Sequence, residues 1–281
     1  MTAPSDIAAA KRSFRNVAVS YLEAGAANGR PPLVLLHGIG SAARSFRRQL
    51  AGLSADRRVI AWDAPGYGGS TPLVPAFPTA EDYAAALESF VDDLGLTRFH
   101  LLGHSLGCLM AARFALRHPG RVVSLTLCAI AAGHGRLPGE ERQRLLDQRV
   151  GDITALGPQE MARRRGPRLL APGAAADAVA AVIETMGAVR PEGYAQAARM
   201  LSTGDIAADI EALPPSLPVQ VLYGEADIIT PPARNREIAA LRPTAPVTAI
   251  VDAGHALYLE QPAALNAAVA AFMAEQERHG A

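Results

Sequence analysis

The pentapeptide GHSLG at residues 103–107 constrains the fold of this chain more than any other feature of its sequence. It follows an apolar run at 99–102 and precedes a helix-like run at 108–117. A serine flanked by glycines, where a strand turns sharply into a helix, is held in a strained backbone conformation that projects its hydroxyl above the sheet. The flanking glycines are needed because side chains there would collide with the neighbouring strand and helix. The pattern therefore predicts that Ser105 is a nucleophile at the edge of a sheet.

Apolar, β-branched runs alternate with helical patterns along most of the chain, and glycine and proline mark the junctions. This alternation predicts an α/β fold whose mostly parallel sheet is covered by helices on both faces. Ligands bind such sheets at the carboxyl ends of the strands. The predicted strands are 15–23, 33–36, 58–62, 99–102, 122–128, 219–223 and 247–251, and the predicted helices are 45–53, 79–94, 105–117, 232–241 and 262–277.

The segment 133–215 breaks this alternation, because it contains helical patterns and no convincing strand. An all-helical insertion between two strands predicts a cap over the edge of the sheet. The core then consists of residues 1–132 and 216–281. The predicted cap helices are 140–149, 158–165, 174–186 and 192–201.

Two residues downstream of the cap complete a catalytic constellation. A serine hydroxyl is a poor nucleophile until a base takes its proton, and that base needs a carboxylate to orient it. Asp227 follows the predicted strand 219–223, and His255 follows the predicted strand 247–251. The order serine, acid, histidine is the one this type of fold uses. Ser105, Asp227 and His255 are therefore predicted to meet as a catalytic triad.

Other residues of the same chemical types lie nearby. Glu225 and Asp252 are alternative acids, and Asp227 is favoured because the turn that follows it can hold it rigidly. Ser41 and Ser70 also lie in glycine-rich loops. Neither is predicted to be the nucleophile, because both lack the strand-to-helix setting.

The loop HGIG at 37–40 follows the predicted strand 33–36 and offers free backbone N–H groups. Acyl transfer needs such donors for the oxyanion of its tetrahedral intermediate. The predicted donors are the N–H of Ile39, with Gly40 as a further candidate, and the N–H of Leu106 immediately after the nucleophile.

Substrate contacts are predicted for His104, beside the nucleophile, and for Arg163 and Arg164 of the cap. A cation that faces the pocket would favour substrates bearing a carboxylate, whereas a solvated helix face is the alternative for these arginines. Histidines in loops are usually surface residues, which is the expectation for His37, His118, His134 and His279.

Composition argues against several classes of function. Lys+Arg and Asp+Glu number 27 each, so no net charge favours nucleic acid or an anionic membrane as a partner. Cys108 and Cys128 are too few for a disulfide framework and lack the spacing of a metal site. The chain shows neither a signal-peptide pattern nor a run of membrane-spanning length. A cytoplasmic protein that needs no metal and no cofactor is expected.

Together these motifs resemble the α/β-hydrolase superfamily over essentially the full chain. His37 and Gly38 are similar to the family's oxyanion loop, and residues 103–107 to its nucleophile elbow. The stretch DAPGYGGS at 63–70 is similar to the D-x-P-G-x-G-x-S loop that members carry before the elbow. The resemblance implies an α/β-hydrolase fold in which the predicted triad acts on a small molecule.

The activity implied by this resemblance is hydrolysis of a small carboxylic ester or lactone through an acyl-enzyme. The cap and the segment RPEGY at 190–194 resemble enol-lactonases and small esterases. Carbon–carbon bond hydrolases share the triad but typically carry Trp after the catalytic histidine, where this chain has Ala256. Cofactor-free haloperoxidase-like enzymes share every motif and are an alternative, whereas haloalkane dehalogenases carry Asp in place of Ser105. A non-catalytic small-molecule receptor on the same fold is the alternative from another class.

Overall fold

The strands form a single sheet in the computed structural model, which describes residues 7–14 and 17–279 of the chain. Within the described residues the strands are β1 (Ala8–Phe14), β2 (Val17–Ala24), β3 (Leu33–Leu36), β4 (Val59–Trp62), β5 (Phe99–His104), β6 (Val122–Cys128), β7 (Val219–Gly224) and β8 (Val247–Ile250). Their order across the sheet is β1-β2-β4-β3-β5-β6-β7-β8. Strand β2 is antiparallel to both of its neighbours, and the pairs from β4 to β8 are all parallel. The predicted α/β class is confirmed.

Helices connect the parallel strands and cover both faces of the sheet. They are α1 (Arg47–Leu53), α2 (Ala80–Asp93), α3 (Leu106–Arg117), α4 (Gly139–Arg165), α5 (Ala176–Gly187), α6 (Pro191–Thr203), α7 (Ile206–Ala212), α8 (Pro232–Ala239), α9 (Leu257–Glu260) and α10 (Pro262–His279). Short 3₁₀ turns precede α1 and follow α4, at Ala43–Phe46 and Gly166–Leu169. Among the described residues, no helix combines the length and the apolar character that crossing a bilayer requires.

Alternate residues of the central strands belong to two separate hydrophobic cores. On β3, Val34 and Leu36 pack into the core that includes α2 and α3, whereas Leu33 and Leu35 pack into the core that includes α1 and α10. All four side chains are buried. A strand that is buried on both faces reads as a continuous apolar run, and this is why the central strands were predictable from sequence.

The edges of the sheet and the short helices differ from the prediction. Strand β1, with the exposed Lys11 and Arg12, was not predicted, and it is held by antiparallel pairing with β2 rather than by an apolar pattern. The predicted strand at 15–23 corresponds to β2, and residues 15–16 lie outside the described part of the chain. Helices α7 and α9 are additional elements of seven and four residues, too short to give a clear period.

The helices between β6 and β7 include one that bends sharply. In α4, Gly157 has φ 69° and ψ 165°, and Pro158 follows it. The side chain of Arg165 nonetheless hydrogen-bonds to that of Asp152. A straight helix would hold residues 13 positions apart separated by about 20 Å along its axis, too far for this contact. The two predicted helices at 140–149 and 158–165 are therefore two arms of α4 that fold back at Gly157.

Helix α6 rests directly on the loop that follows β4. A Cβ atom on Gly193 would lie 2.1 Å from the carbonyl oxygen of Gly66, so the two backbones touch where neither residue carries a side chain. Nearby, Gln196 Nε2 donates hydrogen bonds to the carbonyl oxygens of Leu73 (2.7 Å) and Pro75 (3.0 Å). These contacts attach the helical segment to the sheet layer.

Helix α7 is attached to α3 by an ion pair between the half-buried Arg113 and the buried Asp209. Arg113 Nη2 lies 2.5 Å from Asp209 Oδ1, while the other carboxylate oxygen of Asp209 is buried without a hydrogen-bond partner among the described residues. Burial raises the pKa of Asp209 to about 6, and the charge of Arg113 only partly opposes this shift. The folded protein therefore holds a proton on this carboxyl up to a higher pH than the unfolded chain does.

We expect Gly193→Ala to destabilise the protein although alanine favours helices. The gain in helix propensity is at most about 1 kcal/mol, whereas forcing a methyl group into the contact with Gly66 should cost about 1–3 kcal/mol. The measurement is urea unfolding followed by circular dichroism. Gly151→Ala is the matched control, because this helical glycine has open space around its Cα and the substitution should stabilise. Equal effects of the two substitutions would contradict the described contact.

We expect Asp209 to make stability depend on pH in a defined direction. The pKa of Asp209 is about 6 in the folded protein and about 3.9 in the unfolded chain. The stabilisation of the folded state by the protonated carboxyl is therefore present at low pH and is lost as pH rises through about 6. The unfolding free energy of the wild type minus that of Asp209→Asn should therefore be larger at about pH 5 than at about pH 7.5. Urea unfolding of both proteins at the two pH values measures it. A difference of the opposite sign would show that the ion pair with Arg113 outweighs burial.

Candidate active site

Ser105 stands at the turn between β5 and α3 in a conformation that few residues adopt. Its φ is 52° and its ψ is −116°, and its side chain reaches the wall of a cavity. A Cβ on Gly103 would lie 2.5 Å from the carbonyl oxygen of Gly107, and a Cβ on Gly107 would lie 2.3 Å from that of Leu36. Side chains at these two positions would therefore collide with the neighbouring backbone, as the sequence predicted. The turn has the geometry of a nucleophile elbow.

Asp227 and His255 meet in the loops after β7 and β8. The Nδ1–H of His255 donates a hydrogen bond of 2.8 Å to Asp227 Oδ2, and both residues are buried. Asp227 Oδ1 accepts hydrogen bonds from the N–H groups of Ile229 (2.7 Å) and Thr230 (2.9 Å). The Thr230 hydroxyl donates to Asp227 Oδ2 at 2.7 Å. The turn after Asp227 thus holds its carboxylate, and the acid orients the His255 ring.

The charge state of Asp227 follows from these contacts. Burial alone would raise its pKa, but the hydrogen bonds from His255 and Thr230 outweigh burial and lower the pKa below its ordinary value. The carboxylate is therefore ionised at neutral pH and accepts the Nδ1–H of His255. This tautomer leaves the Nε2 of His255 with a free lone pair.

The alternative acids lie elsewhere. Glu225 and Asp252 are exposed and line a different cleft, together with Glu260. Ser105 and His255 line the same cavity, although no hydrogen bond joins the Ser105 hydroxyl to His255 in the described residues. Contacts between a catalytic base and its nucleophile are often long until substrate binds.

The predicted oxyanion donors lie on the same cavity as Ser105. Ile39 and Gly40 occupy the middle of a turn that the hydrogen bond from Ser41 N–H to Gly38 O (3.2 Å) closes. The hydroxyl of Tyr67 donates to the carbonyl oxygen of Ile39 at 2.8 Å and fixes the orientation of that peptide. In the described part of the chain, the N–H groups of Ile39, Gly40 and Leu106 have no protein acceptor. They are thus free to bind an oxygen atom of a ligand.

His37 is buried, and His118 and His134 are half-buried, so the prediction of surface residues was wrong for these three histidines. His37 is 1% exposed, and both of its ring nitrogens have backbone partners: Nε2 accepts the N–H of Ala64 at 3.0 Å, and Nδ1–H donates to Gly38 O at 2.8 Å. It joins the oxyanion loop to the loop after β4. His134 is half-buried and lines the cavity. The side chain of His279 lies outside the described residues.

His104 lines the cavity, but it also has a partner within the protein. Its Nε2–H donates to the carbonyl oxygen of His255 at 2.9 Å, and its ring lies 4.8 Å from that of His255. Burial, and then the nearby His255, lower the pKa of His104 to about 3, so it is neutral. A substrate contact by His104 stays a prediction, whereas its support of the His255 backbone is an observed contact.

The cavity has a volume of about 570 Å³. One side consists of the elbow and the oxyanion loop, and the other consists largely of the helical segment between β6 and β7. Much of the wall is apolar, including Leu137, Leu145, Leu169, Met186, Leu201 and Ile228. A cavity of this size and character suits a small organic substrate.

Arg163 and Arg164 do not contribute to this cavity, which corrects their predicted role in substrate binding. Their side chains are 63% and 61% exposed, and both pair with Glu160 on the outer face of α4. The structure thus shows the alternative that the sequence left open for these arginines, a solvated helix face. The arginines that do line the cavity include Arg149 and Arg168.

Thr230 and Arg149 are site residues that the sequence analysis did not single out. Thr230 stands three positions after Asp227, where a side-chain hydroxyl and an N–H can both reach the carboxylate, and this spacing is the signal that could have found it. For Arg149 the sequence offers no such signal, because its approach to the cavity depends on the fold of α4.

We expect Thr230→Val to destabilise the protein by about 1–3 kcal/mol near neutral pH. Valine has nearly the same shape as threonine but leaves the buried, ionised Asp227 without one of its donors. The measurement is the free energy of unfolding in urea. Thr154→Val is the control, since the Thr154 hydroxyl is exposed and donates only to a helix carbonyl. A loss no larger than that of the control would contradict the role of Thr230.

Comparisons with known proteins agree with this fold. A family model described as the alpha/beta hydrolase fold matches residues 31–262. The enol-lactonase from Burkholderia xenovorans LB400 superposes with a TM-score of 0.83 at 23% identity, covering 94% of this chain and 100% of that one. A thermophilic esterase from Thermogutta terrifontis, solved with malate bound, also gives 0.83, at 25% identity over 97% of this chain and 99% of that one.

A longer relative shares the same region. The dihydrolipoyllysine-residue acetyltransferase component of the acetoin cleaving system from Pseudomonas putida is 29% identical over 251 residues, which is 87% of this chain and 64% of that protein. This chain therefore spans less than two thirds of that relative. Because the family model covers most of the chain and the sheet has the same architecture, the chain belongs to the alpha/beta hydrolase fold family.

Proposed function

We propose that the protein hydrolyses small carboxylic esters or lactones with Ser105 as nucleophile, His255 as general base and Asp227 as the orienting acid. The observation that carries this proposal is the 2.8 Å hydrogen bond from His255 Nδ1–H to Asp227 Oδ2, in a histidine that shares a cavity with Ser105. A histidine oriented in this way presents its free Nε2 lone pair as a base.

The reaction proceeds in two halves. Ser105 Oγ attacks the carbonyl carbon while His255 Nε2 takes its proton, and the oxyanion binds the N–H groups of Leu106 and Ile39, with Gly40 beside them. The intermediate collapses, and the imidazolium returns the proton to the leaving alkoxide; in a lactone that alkoxide remains part of the acyl group. Water then attacks the acyl-enzyme with His255 again as base, which releases the acid and regenerates Ser105.

Several features support this substrate class. The cavity is of a size that suits a small molecule, and its apolar walls suit the hydrocarbon part of an ester or lactone. The free N–H groups lie beside the serine, where a carbonyl oxygen would bind. The likeness to the Thermogutta esterase, at 25% identity, adds weight to ester hydrolysis.

We also propose that residues 133–215 act as a cap on a core formed by residues 1–132 and 216–281. Helices α4 to α6 supply one side of the cavity, and the contact between Gly193 and Gly66 attaches them to the core. A cap of this kind selects substrates by shape and shields the bound ester from bulk solvent.

We expect Ser105→Ala to abolish hydrolysis of short p-nitrophenyl esters and labelling by a fluorophosphonate probe. Asp227→Asn should lower kcat by about 10⁴-fold, because the amide favours the wrong tautomer of His255. Steady-state kinetics and mass spectrometry of the labelled protein measure these effects. Ser41→Ala is the matched control: Ser41 lines the same cavity but lies outside the elbow, and the variant should keep hydrolysis and labelling at Ser105.

Two outcomes would contradict the proposal. Hydrolysis by Ser105→Ala near the wild-type rate would place the nucleophile elsewhere. A wild-type protein whose Ser105 takes no fluorophosphonate adduct, and which turns over no ester, would instead be a receptor for a small molecule.

A further inference from the structure

The charged side chains on the wall of the active-site cavity share one sign. Among the residues that the structure describes, four arginines and no carboxylate line it: Arg149, Arg165, Arg168 and Arg234. His134 lies on the same wall, but burial, and then the charge of Arg149, lower its pKa, so it adds no charge at neutral pH. The cavity is therefore cationic, although the whole chain has a formal net charge of zero.

Two of these four arginines are already neutralised. Arg165 pairs with Asp152, and Arg234 Nη1 lies 3.1 Å from Glu237 Oε2. Arg149 and Arg168 have no carboxylate within 4 Å in the described chain, which distinguishes them from the other two. Arg149 is half-buried, whereas Arg168 is exposed. A half-buried guanidinium without a counter-ion is an unfavourable arrangement in the free protein, and an anionic ligand at Arg149 would relieve it.

The fold of α4 brings the two unpaired arginines to one region. The hydrogen bond between Asp152 and Arg165 joins the two arms of α4. Arg149 stands three residues before Asp152, and Arg168 three residues after Arg165, in the 3₁₀ turn that continues the second arm. Each lies about one helical turn farther from the bend. Both reach the same cavity.

We propose that Arg149 and Arg168 bind a carboxylate group of the substrate, so that the substrate is an ester or lactone carrying an ionised carboxyl group away from its scissile carbonyl. Guanidinium groups bind carboxylates through paired, charge-assisted hydrogen bonds. The substrate would then span the cavity, with its carbonyl at Ser105 on the sheet and its carboxylate on the helical segment. This inference names the substrate class of the proposed hydrolase and rests on that function.

The test compares matched substrates in the wild type and in Arg149→Gln/Arg168→Gln. Mono-p-nitrophenyl adipate carries the carboxylate on the acyl side, and p-nitrophenyl heptanoate is its neutral counterpart. The compound 4-acetoxybenzoate carries it on the leaving group, with 4-methylphenyl acetate as its neutral counterpart. For each pair, we take the ratio of kcat/KM for the charged ester to kcat/KM for the neutral ester. In at least one pair, this ratio should be about tenfold or more lower in Arg149→Gln/Arg168→Gln than in the wild type, as expected for lost charge-assisted hydrogen bonds.

The control variant is Arg163→Gln/Arg164→Gln, which also removes two positive charges, but from the outer face of α4. It should leave both ratios unchanged within about twofold, since distant exposed charges are screened by salt. Calorimetric titration with adipate gives a readout that needs no turnover: its Kd should rise about tenfold in Arg149→Gln/Arg168→Gln and stay constant in the control. Near-ultraviolet circular dichroism shows that each variant is folded.

The outcomes separate this inference from the function on which it rests. Unchanged ratios in both substrate pairs, in an enzyme that hydrolyses them through Ser105, would overturn the carboxylate site and leave the esterase. Equal losses in the control variant would show a general effect of charge and would also overturn it. If the wild type hydrolyses no ester, the proposed function fails, and the adipate titration alone decides whether Arg149 and Arg168 bind a carboxylate.

Discussion

The close approach of three backbone segments at the turn after β5 is the constraint on which the candidate active site depends. The carbonyl oxygen of Gly107 faces Gly103, and that of Leu36 faces Gly107, at distances that leave no room for a methyl group. This contact brings the end of β3 against the start of α3, and so it brings the oxyanion loop beside Ser105. The unusual backbone angles of Ser105 and the free N–H groups next to it are therefore two results of one packing arrangement.

Buried polar residues extend this arrangement into the neighbouring loops. His37 ties the oxyanion loop to the backbone of Ala64, and Tyr67 ties it back through the carbonyl oxygen of Ile39. His104 supports the backbone of His255 in a similar way. Each of these side chains is buried and hydrogen-bonded to main chain, so the candidate catalytic groups rest on a connected network rather than on isolated loops.

The fold and the members of the candidate triad were predictable because they depend on local signals. The central strands are continuous apolar runs, the elbow needs glycines at set positions, and Asp227 and His255 each follow a strand. The role of His37 was not predictable, because its partner Ala64 lies 27 residues away and no local pattern marks a buried histidine. The same holds for Arg149 and Arg163. Which of them faces the cavity depends on the bend of α4, and helical periodicity alone does not give the direction of a bend.

The bend itself has a mechanical consequence. Gly157 has a positive φ of 69°, and no neighbouring atom lies within 4 Å of a Cβ built on it, so the bend places this residue in open space. A hydrogen bond between the side chains of Asp152 and Arg165 joins the arms on either side. The two arms should consequently keep their relative orientation if the helical segment separates from the sheet, and they would move as one unit. Opening of the cavity would then move Arg149 and Arg168 away from the sheet together. The same movement would change both the binding of one end of a ligand and access to Ser105.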